Sequence, residues 1–583
     1  MSYNTFRVWF IGLALTVAVS FSNQFFFLRS GTMALTLPIC ALVSLPLGHL
    51  MAALLPSRDF HFFKWSFSLN PGPFSIKEHA IIGVMSYCAS GTAFAVNIVI
   101  MQKFYLDQEK PFIARLFLVL STQLLGYGMA GVLRRFLIRP PQMLWPAVLV
   151  NVALYRSLNA KRVSPEDQGR MPMMRYFSLL SFAMFVYHWL PGFIFPTITT
   201  LSVLCWIKPT NVVLSQLTGS RGLGIGTLSL DWSYISFAQP LTTPLFAQFN
   251  ILLGLVLFAY IAVPFAYYTN LWGAKMYPIA DSRLFTTNGS AFQVHQVQIN
   301  GTLDEAAYEQ LGPVRMSTML MLSYAFGFAG LAATIVHVPL FHGRELSAMW
   351  KATTTMGGGG RQDVHERLMS AYPEVPDWWY SGLFAVMLLM SLVTCIVWDY
   401  MPWWALGLSV LIAAVFVLPM GIIQALTNQT LHLNIVTEYI IGFILPGHPL
   451  VNVTFKTYGY ITGFQALFFV SNLKFGHYMK IPPRMMFAAQ IWATVVAAVV
   501  NLLTATWLMQ RPDMCKSYGP FPCRSPNVFN TAAIIWGTIG PARFFGSKDG
   551  GIYSAVQWGF VVGAVLPIVF WKLVQTWPKQ YWL

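Results

Sequence analysis

Residues 434–484 read NIVTEYIIGFILPGHPLVNVTFKTYGYITGFQALFFVSNLKFGHYMKIPPR. Each of the two apolar runs here has one charge set inside it, Glu438 in the first and Lys456 in the second, and the stretch closes on the polar turn KFGHYMKIPPR. An ionised group at the centre of a lipid-soluble helix costs roughly 2.5–3.5 kcal/mol on the insertion scale, so charges kept there are functional candidates. The stretch therefore points to a chain that spans a membrane and does chemistry or transport inside it.

Composition agrees. Hydrophobic residues make up 56% of the 583 positions and charged residues only 10%, against roughly 25% charged in an ordinary soluble domain. The net charge of +16 could suit a nucleic acid, but the Lys and Arg fall in short clusters between apolar runs. That is the positive-inside pattern, and no continuous basic face accompanies it. The partner implied is a lipid bilayer, with no nucleic acid. Cys40, Cys88, Cys205 and Cys395 lie in apolar segments as small buried hydrophobes,. Cys515 and Cys523 flank a polar Gly/Pro loop and are expected to form a disulfide on the oxidising side,.

Runs long enough to cross about 30 Å of hydrocarbon recur near 8–28, 33–55, 80–102, 112–133, 176–207, 247–268, 316–340, 380–398, 403–426, 433–447, 458–472, 485–508 and 551–572. Shorter pieces near 141–155, 233–246 and 530–545 read as re-entrant or broken helices. The expected fold is all-α: a polytopic, multi-pass integral membrane protein with about 13–16 transmembrane or re-entrant helices. The plasma membrane is the expected location, with an internal membrane as the alternative.

Orientation follows from several markers together. The loop 341–379 carries Arg344, Lys351, Arg361 and Arg367 and is expected in the cytoplasm,. One span away, the loop 269–315 carries the sequons Asn288-Gly289-Ser290 and Asn300-Gly301-Thr302 and is expected outside, as is 509–529 with its cysteines,. Arg134, Arg135 and Arg139 then lie inside. A full crossing by 141–155 would put Arg156, Lys161, Arg162, Arg170 and Arg175 outside, so this piece is expected to dip in and return,. Pro191-Gly192, Pro196, Pro244, Pro264 and Pro446-Gly447 interrupt apolar runs. Broken helices free backbone groups at mid-membrane, where transporters place their substrates. An internal repeat is also read, from Pro46-Leu47-Gly48-His49 followed by Lys77-Glu78-His79, and Pro446-Gly447-His448 followed by Gly476-His477.

Two motifs far apart carry a resemblance. ILPGHPLVNVTFKTYGYITGF with KFGHYMKIPPR (Ile444–Arg484), and NPGPFSIKEH (Asn70–His79), are similar to the two signatures of the oligopeptide transporter family, peptide branch, fungal and plant type. Further similarity lies in GLG with the following LDW (Gly222–Trp232), HERLM (His365–Met369), WWY (Trp378–Tyr380) and IIWGTIGPARFF (Ile534–Phe545). The resemblance implies a secondary active transporter, not an enzyme, that moves small oligopeptides such as tetra- and pentapeptides or glutathione-like thiols by proton symport. The proton gradient would be the driving force, with no cofactor. It implies one membrane domain over 1–583. Family chains usually begin with an acidic cytoplasmic tail and continue past the equivalent of WPKQYWL, so further C-terminal spans are expected to be missing from this sequence.

Within that frame Glu438 is the first proton-coupling candidate, since a carboxyl in a low-dielectric segment can take a proton from an acidic exterior and release it inside. A permanent structural pair with Lys456, or contact with a substrate amine, stays open. His188, beside the Pro191-Gly192 break, is the second coupling candidate,. Lys456 would suit a peptide carboxylate, or would snorkel to the interface. Asn428 and Asn250 can bond peptide groups without regard to side chain, and Tyr187 and Tyr458 can line a cavity. Asn97, Gln123, Gln424, Asn434 and Asn452 are amides in similar settings. The signature residues Asn70, Pro71, Gly72, Lys77, Glu78 and His79, with Lys480, Pro482, Pro483 and Arg484, read as gate or topology elements. Pro482-Pro483 would fix the start of a span, leaving Lys480 and Arg484 in water or on anionic lipid.

Competing classes find less support. No P-loop, dinucleotide Gly fingerprint or Ser/His/Asp frame is present, Gly357–Gly360 reads as a linker, and no metal-ligand spacing appears,. The alternatives are a metal-chelate or siderophore symporter and, from another class, a membrane-embedded enzyme or scramblase.

Overall fold

The computed structural model describes residues 2–30, 33–62, 65–160, 171, 173–220, 222–292, 297–299, 302–354, 364–516, 519–546 and 551–577. The sequon residues Asn300 and Gly301, the Gly357–Gly360 tract, Arg361, Lys161, Arg162 and Arg170 lie outside the described residues.

Helices dominate. The chain opens with α1 (Phe6–Phe27) and α2 (Leu37–Leu54), then a small hairpin pairing Asp59–Phe62 with Trp65–Ser68. One crossing is divided into α3 (Ile76–Ser90) and α4 (Val96–Phe104), followed by α5 (Phe112–Leu137) and the short α6 (Pro146–Leu158). Then come α7 (Met173–Trp189), α8 (Val203–Ile207), α9 (Val212–Thr218), α10 (Ser233–Ala238), α11 (Leu245–Leu255) and α12 (Val263–Tyr268). The loop after α12 carries α13 (Glu305–Leu311). Next are α14 (Thr318–Thr354), α15 (Val364–Met369), α16 (Asp377–Val397) and α17 (Trp403–Thr427). The last third holds α18 (Asn434–Ile444), α19 (Pro449–Lys456), α20 (Thr462–Met479), α21 (Pro483–Leu508), α22 (Arg524–Ala532), α23 (Pro541–Phe545) and α24 (Trp558–Thr576).

Among the described residues ten helices are long and apolar enough to cross a membrane, and two shorter apolar ones, α6 and α18, join them. With the divided crossing α3–α4 and the continuous α19–α20, this is an all-α polytopic membrane protein. Several boundaries differ from the hydropathy reading. The span expected to end at 340 runs on to Thr354, because nothing after Pro339 breaks the helix. The run expected over 433–447 is only the half-helix α18, which ends at Ile444 because Leu445, ahead of Pro446, leaves helical dihedrals,. The run expected over 176–207 ends its helix at Trp189, where Pro191-Gly192 forces a π-helical turn over Leu190–Ile194.

Helix α6 does not cross. At its start Leu144 O accepts from Tyr478 Oη (3.1 Å), and at its end Asn159 Nδ2 meets His79 Nδ1 (2.8 Å). Tyr478 and His79 lie at the last turn of α20 and the first turn of α3, both cytoplasmic by the positive-inside reading,. Arg156 thus stays on the side of Arg134, Arg135 and Arg139. The proposed repeat, by contrast, joins unlike settings. His49 is inside α2, whereas His448 caps α19 at a break; His79 opens a helix, whereas His477 closes one.

Small residues let the helices approach. A Cβ on Gly126 of α5 would sit 2.1 Å from Thr462 O of α20. On α24 Gly559 and Gly563, four apart, face Ala325 O and Ala329 O of α14, where added Cβ atoms would sit at 2.3 and 2.1 Å. This is the small-xxx-small packing that membranes favour, since lipid supplies no hydrophobic drive between helices. Gly563→Leu is expected to destabilise the protein by at least the 1–3 kcal/mol typical of overpacking and to lower the thermal unfolding midpoint in detergent. Gly330→Leu on α14, where a Cβ meets nothing within 4 Å, is the control expected to leave it unchanged.

Candidate functional site

Helix α17 ends at Asn428, whose positive φ of 58° turns the chain back. Residues 428–433 then return without helix before α18 begins at Asn434. This unwound segment forms one wall of a cavity of about 760 Å³, within the usual range for a small-molecule site. Asn428, Gln429 and Thr430 face it together with Gln424 from α17. The lining also includes Asn151 of α6, Ser471 and Asn472 of α20, and Gln239 and Thr243 before α11. Tyr87, Trp145, Phe464 and Phe468 supply aromatic faces.

The lining residues named for this cavity include amides, hydroxyls and rings, and none is charged. Gln424 Oε1 has no hydrogen-bond partner, and an amide oxygen left this way accepts from a ligand N–H. Three lining residues, Trp145, Gln239 and Asn428, hold positive φ, a conformation that costs energy for residues other than glycine and concentrates at functional sites. Trp145 is held there by its N–H on Ala425 O (2.9 Å) and its Nε1 on Leu137 O (3.0 Å). Asn428 Nδ2 donates to Gln239 Oε1 at 3.5 Å.

Glu438 lies in the second turn of α18, directly after the unwound wall. Lys456 Nζ donates to Glu438 Oε1 at 2.6 Å, and both side chains are almost wholly buried. Lys456 also sits 4.1 Å from the centre of the Phe529 ring, a cation–π contact. Asn452 Nδ2 donates to the Glu438 carbonyl (3.0 Å), and His432 Nδ1 meets Tyr460 Oη (2.6 Å). The ion pair thus joins α18 to the α19–α20 helix beside the cavity wall. Lys456 does not snorkel to the interface, because its ammonium has a partner inside.

The signature Asn70–His79 is a structural knot. Arg7 Nη2 donates to Glu78 Oε1 at 2.9 Å with both side chains fully buried, and Arg7 Nη1 reaches Asn70 Oδ1 and Gly72 O, each at 2.9 Å. Glu78 also completes a capping box with Ser75 at the start of α3,. Asn70 Nδ2 donates to Ala52 O and Leu55 O, closing the end of α2. His79 Nε2 lies 2.9 Å from Ala41 O, Pro71 is exposed, and Gly72 holds φ +136°.

The turn between α20 and α21 ties down the loop before α16. Pro483 occupies the first turn of α21, as a proline that needs no helical N–H partner should,. Lys480 is partly buried, and its Nζ donates to His365 Nδ1 (2.7 Å) and His477 O (3.0 Å). Arg484 Nε donates to Glu374 O (3.0 Å) and Lys77 Nζ to Tyr372 Oη (2.7 Å). Arg134 and Arg135 hold Asp377, and Arg139 holds Glu374.

Of the sequence candidates, Asn428 alone among the substrate set lines the cavity. Tyr458 is fully buried and shares a hydrogen bond with Ser121 (2.8 Å). Tyr187 Oη donates to Leu230 O (2.5 Å), and Asn250 and His188 are exposed on α11 and α7. His188 is not brought to Glu438 by any contact in the described residues. Cys515 and Cys523 are disulfide-bonded. Sequence reading did not single out Asn151, Gln239, Gln429 or Asn472 for the cavity. Asn472 carried a signal, an amide inside an apolar run; Gln239 and Gln429 depend on loop geometry that no periodicity reveals.

Broken helices around an uncharged cavity, with a buried ion pair at the break, define a polytopic transporter-type membrane protein. The chain matches the model of the OPT oligopeptide transporter protein family over residues 3–583 and belongs to that family. It is 41% identical to Oligopeptide transporter 7 of Arabidopsis thaliana over 99% of this chain and 76% of that protein. It is likewise 41% identical to Oligopeptide transporter 8 (99% and 80%) and 40% identical to Oligopeptide transporter 4 (99% and 81%) of the same plant.

Glu78→Ala, which leaves Arg7 buried and uncompensated, is expected to cost about 3–5 kcal/mol and to abolish the monodisperse detergent-solubilised peak. Replacing both charges by apolar residues of similar volume, Arg7→Met with Glu78→Leu, is expected to restore most of that peak.

Proposed function

We propose that this chain moves small oligopeptides by proton symport, with the peptide in the central cavity and Glu438 as the group that exchanges the proton. The observation that carries the reading is the position of the Glu438–Lys456 pair, one turn beyond the unwound wall that Asn428, Gln429 and Thr430 present to the cavity. Side-chain amides and Gln424 Oε1 offer donors and acceptors to peptide backbone groups whatever the peptide's side chains, and the aromatic faces accept apolar ones.

Protonating Glu438 neutralises one partner and leaves the Lys456 ammonium without its counter-charge, with the Phe529 ring beside it. Removing one charge of a buried pair costs about 3–5 kcal/mol, enough to shift a two-state equilibrium by more than a hundredfold. The strain falls on α18 and the wall attached to it. A proton bound from outside therefore favours a different arrangement of the cavity, and release inside restores the pair. One proton moving down about 100 mV contributes about 2.3 kcal/mol, which supports roughly fiftyfold accumulation of a neutral solute.

Uptake of a labelled tetrapeptide, with labelled glutathione alongside, into vesicles bearing the chain tests this with and without an imposed proton gradient. Wild type is expected to accumulate peptide only with the gradient. Glu438→Gln is expected to lose accumulation; if it inserts poorly, Glu438→Gln with Lys456→Met gives the same comparison without an unpaired ammonium. Gradient-driven accumulation that survives in these variants removes Glu438 from the coupling. Asn472→Ala is expected to raise the half-saturating peptide concentration about fivefold, the loss of a hydrogen bond worth about 1 kcal/mol, while gradient dependence persists.

A further inference from the structure

We infer that a second cavity, on the external side between α13, the Pro446–His448 break and α23, captures the charged ends of a free oligopeptide. The choice of ligand rests on the peptide-transport reading above. A free peptide carries an ammonium and a carboxylate, yet the lining of the central cavity offers neither an opposite nor a like charge. Its ends need partners elsewhere along the path.

The external cavity, of about 930 Å³, supplies both signs. Glu305 and Glu309 stand four residues apart on α13 and so share one helix face,. Arg543 faces them from α23, with His448 at the break. Arg543 Nη2 donates to Glu305 Oε1 (2.6 Å) and Oε2 (2.8 Å), and its guanidinium lies 5.1 Å from the centre of the Tyr308 ring. The Glu305 side chain is 66% exposed and that of Arg543 29%. A pair so wetted contributes little stability, so another carboxylate can replace Glu305 at nearly equal free energy.

A second observation points to a ligand. Thr538 lines the same cavity, is 1% exposed, and its Oγ1 has no hydrogen-bond partner. The floor of the cavity also touches the ion-pair region. Gly447 N–H donates to Gly537 O (2.8 Å), a Cβ at Gly537 would meet Asn452 Cβ at 2.9 Å, and Asn452 Nδ2 holds the Glu438 carbonyl. In the capture step the peptide carboxylate takes the place of Glu305 on Arg543. The released Glu305, with Glu309, takes the peptide ammonium, and Thr538 bonds a peptide group. No covalent bond changes.

Calorimetric binding to the full chain in nanodiscs, using a tetrapeptide with free ends and the same peptide N-acetylated and C-amidated, tests the site without requiring transport. Arg543→Gln is expected to weaken the free peptide about tenfold, the loss of a charge-assisted contact, and to leave the blocked peptide unchanged. Arg543→Lys is expected to recover part of the loss, and Glu309→Gln, which leaves the Arg543–Glu305 pair intact, to weaken only the free peptide. Equal effects of Arg543→Gln on both peptides, or no effect on either, overturn the inference. Free peptide that binds through Arg543 but is not accumulated would sustain this site and remove the symport reading. Gradient-driven accumulation with an unchanged half-saturation in Arg543→Gln would do the reverse.

Discussion

A backbone group released where a membrane helix breaks has no water to bond with and must find a partner inside the protein. Much of this structure follows from that constraint. Asn23 brackets Leu35 through both its N–H and carbonyl and reaches Ser90 O, so one side chain serves the unwound segment before α2 and the end of α3. Asn70 closes α2, Asn452 holds the Glu438 carbonyl, and Gly447 N–H uses Gly537 O. Asn23 and Asn452 are thus amides in apolar runs that act as such staples. Where the constraint is met by loop against loop, as in 428–433 and the turn at Trp145, the leftover polar groups face a cavity.

Charge differs sharply between the cavity lining, the buried pair beside it and the more exposed pairs. The residues lining the cavity beside 428–433 are neutral. The Glu438–Lys456 pair lies buried beside that lining, where a single proton changes the local electrostatics more than it would in water,. More exposed pairs lie elsewhere, Arg543 with Glu305 and Arg134, Arg135 and Arg139 with Asp377 and Glu374. Pairs in water exchange partners readily, and buried ones do not without a proton.

The two family signatures differ in kind. Asn70–His79 holds α1, α2 and α3 together through Arg7, and its residues are committed to one another. The stretch 434–484 contains both the coupling candidate and the turn whose Lys480 engages His365, so it runs from the cavity wall to the loop before α16. Lys480 and Arg484 of that turn bond to the loop before α16.

Hydropathy determined the membrane class, since it depends on local composition meeting a fixed bilayer thickness, and the placement of Lys and Arg anticipated the return of α6 to the side it starts from. Glu438 and Lys456 were visible as costly residues in apolar runs, and Asn428 as an amide at a helix end. Their pairing was not, because a separation of 18 residues says nothing about which helices meet. Only the tertiary structure decided that Tyr458 turns into the protein, that Asn250 and His188 face outward, and that Gln239, Gln429 and Asn151 converge on one cavity. Those outcomes depend on where broken helices redirect the chain, which is set by long-range packing and by the backbone partners each break can find.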